Sequence, residues 1–326
     1  MIRAAFFTSN KSTRTDISPK EFPRLAKDRR GLLWVDFSGE TPEASLPILE
    51  SFNFHPLAID DALQEIHSPK VDDWDEYLYI VLNYMMVDPQ NWEALIDELD
   101  IFVGRNYIVT HHDQPMDFVE EVWDLYQRDS RQAHEGADHL LYRLADNLVT
   151  HYMPVVEKVD EALDEIEDQV FDRPSPTTLQ KLFTLKRLLL TMRRVTLPQR
   201  EVLNKLARDD FRVIDPHDRI FFRDIYDHLV RIHDLNESLR DLVGSVLDTY
   251  LSVVNNRMNE VMKTLTIITT LFMPLAFVTG FFGMNFFEPL GFMKEWTTNP
   301  VFYATLTGIF LVPAAMFLWM RRRTWV

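Results

Sequence analysis

The 326-residue chain contains no cysteine. That removes disulfides, thiolate-bound zinc or iron–sulfur centres and a thiol nucleophile from consideration. Histidine stops at His233, so a metal met beyond that point finds neither imidazole nor thiolate. Such a donor set suits a hard cation such as Mg2+ and leaves hydrated Co2+ or Zn2+ open. Charge is missing from two stretches, 24 residues at 264–287 and 25 residues at 296–320. Each is long enough for a helical membrane span of about 20 residues. Proline is missing between Pro216 and Pro274, and Gly244 is the only glycine in that interval. An unbroken helix over 217–282 is therefore expected, on the order of 100 Å long at about 1.5 Å per residue, far more than a bilayer needs. No glycine-rich phosphate loop, activated nucleophile or paired acid and base stands out, so neither a nucleotide-hydrolysing site nor another enzyme is expected. The first ten residues carry only a short apolar patch, without the longer apolar core of a signal peptide.

What is present is acid. Residues 1–263 hold 48 of the 50 Asp and Glu and 30 of the 34 Lys and Arg, a net charge of −18. A surface of that sign repels a nucleic acid backbone and attracts cations, so no nucleic acid partner is expected.

The fold class expected is α+β. Residues 1–136 form an α/β domain with a small sheet. Its strand-like runs are Leu32–Phe37, Tyr77–Val87, Leu99–Val103 and Tyr107–Thr110, with a hairpin turn at Gly104-Arg105-Asn106 and helical periodicity over 42–53, 56–66 and 115–128. Residues 137–210 read as a helical hairpin. Its first arm carries Glu157, Asp160, Glu161, Asp164, Glu165, Glu167 and Asp168; Arg173-Pro174-Ser175-Pro176 makes the turn; and the return arm carries Lys181, Lys186, Arg187, Arg193, Arg194 and Arg200. The two arms can pair by charge, and Pro154 and Pro198 are expected to kink or break them. A stalk helix (217–263) then runs into transmembrane helix 1 (264–285), an outer loop (286–298), transmembrane helix 2 (299–320) and a basic tail (321–326).

Two spans put both chain ends on one side of a membrane. The loop has one Lys, whereas Arg321, Arg322 and Arg323 follow the second span, so the positive-inside rule assigns both termini to the cytoplasm. Trp296, Trp319 and Trp325 suit the two interfaces. Along span 1, steps of three and four connect Asn255, Asn259, Met262, Thr266, Thr269, Met273, Ala276 and Gly280, a small, polar or Met face distinct from Ile267, Leu271, Leu275 and Phe277. Such a face either packs against another helix in lipid or lines a pore. Two helices cannot enclose a pore, so the second reading requires an oligomer with span 1 at its centre.

At the outer end of span 1 stands Gly283-Met284-Asn285, after Gly280-Phe281-Phe282 and before Phe286. Upstream lie Tyr250-Leu251-Ser252, Asn255, Met258-Asn259, Val261 to Thr266 and Phe272-Met273-Pro274, and the soluble part adds His55-Pro56-Leu57, Asp60-Asp61 and Lys70-Val71-Asp72-Asp73. In this combination the chain resembles the CorA family of divalent-cation channels, whose signature is Gly-Met-Asn before a short outer loop. The resemblance implies a homopentameric funnel in the inner or plasma membrane. It implies inward passage of Mg2+, and often Co2+ or Ni2+, without nucleotide, with lipid and divalent cations as the other partners. Gly283, Met284 and Asn285 would form the selectivity filter, and Asn259, Met262, Leu265, Thr266, Thr269, Met273 and Gly280 the pore and its gate. Ala276 stands where many relatives carry a hydroxyl. Mg2+ bound between subunits would close the channel, with Asp61 facing Asp224 of the neighbour and Asp60 paired with Asp146.

Rival readings are a Zn2+, Co2+ or Ni2+ transporter on the same scaffold, a membrane-anchored scaffold whose spans only oligomerise, and a membrane-anchored hydrolase working from residues 1–215. Two clusters invite an enzyme reading. His111-His112-Asp113 is expected at a solvent-exposed strand end, its members alternating between faces. Asp72-Asp73-Trp74-Asp75-Glu76 is expected as a polar turn before a strand.

Overall fold

The computed structural model describes residues 1–8, 13–64, 68–129, 135–284 and 299–322. It divides into two compact units, Met1–Leu247 and Asp248–Val326.

The first unit opens with β1 (Ile2–Thr8) and β2 (Thr13–Arg14), a short helical turn α1 (Phe22–Leu25), β3 (Gly31–Ser38), α2 (Pro42–Ser51) and α3 (Pro56–Leu63). There follow β4 (Lys70–Asp73), β5 (Tyr77–Val87), β6 (Ala94–Gly104), β7 (Tyr107–His112) and α4 (Asp117–Arg128). The strands form one sheet in the order β2-β1-β3-β7-β6-β5-β4. Among the described residues only the central β3–β7 pair is parallel; the other neighbours are antiparallel. β3 is buried through its middle because both sheet faces are covered. Its Leu33, Val35 and Phe37 join Phe22, Leu49, Phe54, Ile59 and Phe102 in a core beneath α1 to α3. Trp34, on the opposite face, meets Trp123 of α4 with ring centroids 4.7 Å apart. α4 buries Phe118, Val119, Val122, Trp123 and Tyr126, a stripe at helical spacing.

The apolar patch at the N-terminus is thus the strand β1, registered on β3 from Ile2↔Phe37 to Thr8↔Gly31. Part of the acidic run expected as a turn is also strand: Asp72 and Asp73 end β4, and the turn is left to Trp74 to Glu76. β4 is an edge strand, where charged side chains discourage pairing with another sheet.

The hairpin region comprises α5 (Ala137–Thr150), α6 (Tyr152–Asp172) and α7 (Pro176–Arg208). Its first arm breaks at His151, since Pro154 has no N–H for the Thr150 carbonyl. α7 runs through Pro198 without interruption. Apolar rows bury the inner side of α6, at Val156, Val159, Leu163, Ile166 and Val170, while Glu157, Asp160, Glu161, Asp164, Glu165 and Asp168 are exposed. α7 is tied elsewhere by charge, Arg193 pairing with Glu237 at 3.4 Å. Ser175 caps α7 by accepting the Thr178 N–H at 3.1 Å.

α8 (Arg219–Phe282) spans 64 residues. Within the first unit it buries Phe222, Ile225, Leu229, Ile232, Asn236, Leu239, Val243 and Val246, alternating steps of three and four that give one continuous seam. Asn236 Nδ2 donates to the Leu189 carbonyl of α7 at 3.2 Å, which ties the two helices through a buried amide N–H. In the second unit α8 is joined by α9 (Asn299–Arg322).

Candidate functional site

From Asp248 onward α8 changes character. Ile267, Thr270, Leu271, Pro274, Leu275 and Val278 are partly buried, as are Thr305, Gly308, Ile309, Pro313 and Met316 of α9, and Met320 is buried. Of these, Ile267 and Thr270 of α8 and Met316 and Met320 of α9 line one cleft between the two helices. The sequence-predicted face is a different one. Asn259, Met262, Leu265, Thr266, Thr269, Met273 and Gly280 are all exposed, and the row lies on average roughly 140° around the helix from the partly buried row at about 100° per residue. At its N-terminal end a cleft of about 340 Å³ between the two helices takes in Asn259, Met262 and Thr266 beside Met316, Trp319 and Met320. Met262, Leu265 and Met273 are 55, 56 and 66% exposed. Large apolar side chains in such a row need cover from lipid or from further copies of the chain.

The two threonines of this face are held in one way. Thr266 Oγ1 donates to the Met262 carbonyl and Thr269 Oγ1 to the Leu265 carbonyl, each at 2.8 Å. Each hydroxyl hydrogen is therefore spent on the helix, and the oxygen keeps its lone pairs for an outside donor. A hydrated divalent ion presents water hydrogens outward, so such oxygens are acceptors matched to it. At the C-terminal end of α8 Gly283 donates its N–H to the Thr279 carbonyl at 2.9 Å and Met284 to the Phe281 carbonyl at 3.4 Å. Asn285 lies outside the described residues.

Of the four regulatory candidates, Asp60 and Asp61 sit on α3, Asp146 on α5 and Asp224 on α8. Within the chain Asp146 and Asp224 share one neighbourhood: burial, then the negative charge of Asp224, push the Asp146 carboxyl up, against His228 and Arg143. Asp61 bonds to Lys70 Nζ, and Lys70 also lies 3.2 Å from Asp72. Burial disfavours the Lys70 charge, but its hydrogen bonds to Asp61 and Asp72 outweigh this and raise its pKa. Lys70 was not among the expected site residues, although Lys70-Val71-Asp72 in a strand puts the Lys and the second Asp on one face. Among the described residues no group of three or more His, Asp and Glu could hold a metal within one chain.

His111 and His112 correct the expectation of a solvent-exposed strand end, since both are buried. The reason is that β7 sits between β3 and β6 inside the sheet. The faces do alternate. His112 turns to Asp36 of β3, with Nε2 at 3.2 Å from Oδ1, and His111 turns to Asp100 of β6. Each is a structural partner of a buried carboxylate.

The profile described as CorA-like Mg2+ transporter protein matches residues 29–322. The chain belongs to the CorA family. It is 34% identical over 302 residues to the cobalt/magnesium transport protein CorA of Thermotoga maritima, covering 90% of this chain and 83% of that one. It is 33% identical over 293 residues to the putative metal ion transporter YfjQ of Bacillus subtilis, covering 90% and 89%. The complete structure of the CorA magnesium transporter from Methanocaldococcus jannaschii superposes with a TM-score of 0.82 at 21% identity, covering 100% of this chain and 99% of that one. CorA proteins are divalent-cation transporters and not enzymes, and this chain has two helices long and apolar enough to cross a membrane, within Arg219–Phe281 and Tyr303–Arg322. The fold is that of CorA: an α/β soluble part, one long helix and a C-terminal helix.

Proposed function

We propose that this CorA protein is a homopentameric Mg2+ channel of the inner or plasma membrane, with both termini in the cytoplasm, in which five copies of α8 line the pore and five copies of α9 face lipid. The observation that carries the reading is the exposed row Leu265, Thr269, Met273 and Gly280 on the side of α8 away from its partly buried residues, continued by Asn259, Met262 and Thr266, which are exposed at the edge of the cleft against α9. In a ring of five, the Thr266 and Thr269 oxygens and the Asn259 amides hydrate the path, and Met262, Leu265 and Met273 form apolar constrictions that close by dewetting. Gly283, Met284 and Asn285 form the outer filter. Uncharged oxygens suit Mg2+, which gives up water reluctantly: they hold the hydrated ion without binding it too tightly to release. Inward movement of a divalent ion through about 100 mV releases about 4.6 kcal/mol, twice the roughly 2.3 for a unit charge. No nucleotide is needed.

Closure is assigned to cytosolic Mg2+ bound between neighbouring soluble units, at Asp61 with the neighbour's Asp224 and at Asp60 with Asp146. Five copies of a −18 charge repel one another, and bridging cations offset that repulsion. Loss of the cations frees the ring to splay and the pore to open. The test is Mg2+ influx into proteoliposomes at imposed potentials, with Co2+, Ni2+ and Zn2+ as competitors. Influx that grows with inside-negative potential and saturates with Mg2+ supports the proposal. A protein that conducts Zn2+, Co2+ or Ni2+ in preference, or conducts nothing, contradicts it.

A further inference from the structure

A cleft of about 490 Å³ lies at the end of the sheet where β4 turns into β5 and β6 into β7. Lys27, Arg29, Arg105 and Arg212 line it, with Asp75 and Glu76 as its acids. Four bases to two acids reverses the balance of residues 1–263, which carry 30 bases and 48 acids. A local positive field on an acidic protein admits a compact anion, whereas the surrounding charge repels the long backbone of a nucleic acid.

Three segments distant in sequence bring the cations together. Asn106 Nδ2 donates to the Asp28 carbonyl at 3.0 Å, which ties the β6–β7 turn bearing Arg105 to the loop after α1 bearing Lys27 and Arg29. The acid of that loop is spent within it: Asp28 accepts the Arg30 N–H at 3.1 Å and pairs with Arg30 Nη2 at 2.7 Å. Lys27, Arg29 and Arg105 have no ion pair among the described residues. Arg212, between α7 and α8, has its Nη1 3.3 Å from Asp75 Oδ1, and the two side chains are 70 and 80% exposed. So open a pair is worth little. Arg212 can exchange it for a phosphate, which meets a guanidinium through two parallel hydrogen bonds. With Arg212 and Asp75 cancelling, three cations face Glu76 alone, a surplus of positive charge for a multiply charged ligand to match. Phe52 and Tyr107 add partly buried ring surface to the same cleft, their centroids 5.7 Å apart.

We infer that this cleft binds a polyphosphate anion, with the phosphates on Lys27, Arg29, Arg105 and Arg212 and with Phe52 and Tyr107 beside them as a surface for a nucleotide base. The volume suits such a ligand, since small-molecule pockets run from roughly 300 to 1,000 Å³. The role is binding, and it is independent of what α8 and α9 conduct, as is its test.

The experiment is titration calorimetry of the full chain in detergent, with EDTA and at about 0.15 M salt so that only close charges count. ATP and inorganic tripolyphosphate are titrated into wild type, the double variant Arg29→Gln with Arg105→Gln, and a control of equal charge change on α7, Lys181→Gln with Arg187→Gln, whose residues stand outside the cleft. Wild type is expected to bind at least one of the two ligands. The double variant is expected to bind about a hundredfold more weakly, about tenfold for each charge-assisted contact removed, and the control within about twofold of wild type by screening. Lys27→Gln alone, with an expected loss of about tenfold, carries the same test should the double variant not fold. Tighter binding of ATP than of tripolyphosphate supports the site and assigns Phe52 and Tyr107 to a base; equal binding supports it as a site for the phosphate chain. Binding of neither ligand at millimolar concentration, or equal weakening in the double variant and the control, overturns the inference.

Discussion

His112 Nε2 and Asp36 Oδ1 lie 3.2 Å apart, fully buried on neighbouring parallel strands at the centre of the sheet. Asp36 also receives Thr110 Oγ1 at 2.5 Å and Arg3 Nε at 2.8 Å, and Trp34 Nε1 donates to the same Thr110 hydroxyl at 3.1 Å. The cluster joins β1, β3 and β7 beneath α4, where Arg3 stacks on Trp123 at 4.2 Å. A buried carboxylate is tolerated here because its oxygens are matched by charged and neutral donors.

The pair has a definite pH signature. Burial opposes charge on both groups, yet Asp36 and the Gln114 carbonyl raise the His112 pKa, while His112, Arg3 and Thr110 lower that of Asp36. The His112 contribution is complete below about pH 6.5 and is lost as pH rises through its higher folded value. The Asp36 contribution is complete above about pH 3.9 and is lost as pH falls through its lower folded value. The thermal midpoint of wild type should therefore exceed that of His112→Gln by most between pH 5 and 6, with the gap narrowing toward pH 9. Asp36→Asn, which leaves the buried His112 without its counter-ion and Arg3 with Glu120 alone, should cost about 3–5 kcal/mol at pH 7. Equal midpoints for the variants and wild type at all pH values would contradict this account.

Thr266 offers a sharper test of the pore face than its exposure alone. Thr266→Val keeps the shape and removes the acceptor oxygen, whereas Thr266→Ser keeps the oxygen. Mg2+ influx should fall about fivefold in the valine variant, the equivalent of one net hydrogen bond of about 1 kcal/mol, and stay near wild type in the serine variant. Equal influx in the two would remove Thr266 from the pathway.

Lys70 already occupies an oxygen of Asp61, so a divalent ion arriving there has to displace it. Lys70→Gln should lower the internal Mg2+ concentration needed for half-inhibition by up to about fivefold, because a partly exposed pair is worth at most about 1 kcal/mol. Lys70→Arg should leave it unchanged. A shift in the opposite direction would mean that Lys70 positions the carboxylate rather than competing for it.

Gly136→Ala should destabilise the chain by about 1–3 kcal/mol, since it combines a positive φ with a Cβ placed against Asp138. The readout is the thermal midpoint. A neutral result would show that the turn relaxes without strain.

Much of this architecture was legible from local pattern. The long helix announced itself by the missing prolines, the two candidate spans by the missing charges, and the exposed row of α8 by steps of three and four. The rest depends on distant partners. Ile2–Thr8 is a strand because β3 lies alongside it, which no window of seven residues reveals. His112 and Asp36 are 76 positions apart in sequence, and side chains of their polarity at a strand end ordinarily face water. Lys70 gained its place because the edge strand β4 brings it to Asp61 of α3. Of the candidate site, the α8 face follows from periodicity. The pairing of Asp61 with Asp224 and of Asp60 with Asp146 rests on family resemblance and requires contacts between copies.

The most direct test of the central claim is Mg2+ influx into proteoliposomes loaded with a Mg2+-sensitive dye, comparing wild type, Asn285→Ala and the double variant Asp61→Ala with Asp224→Ala. The account predicts influx in wild type, its loss in Asn285→Ala, and weaker inhibition by internal Mg2+ in the double variant. Absence of influx from well-folded wild type, or influx untouched by Asn285→Ala, would contradict the filter and favour a scaffold whose helices only oligomerise.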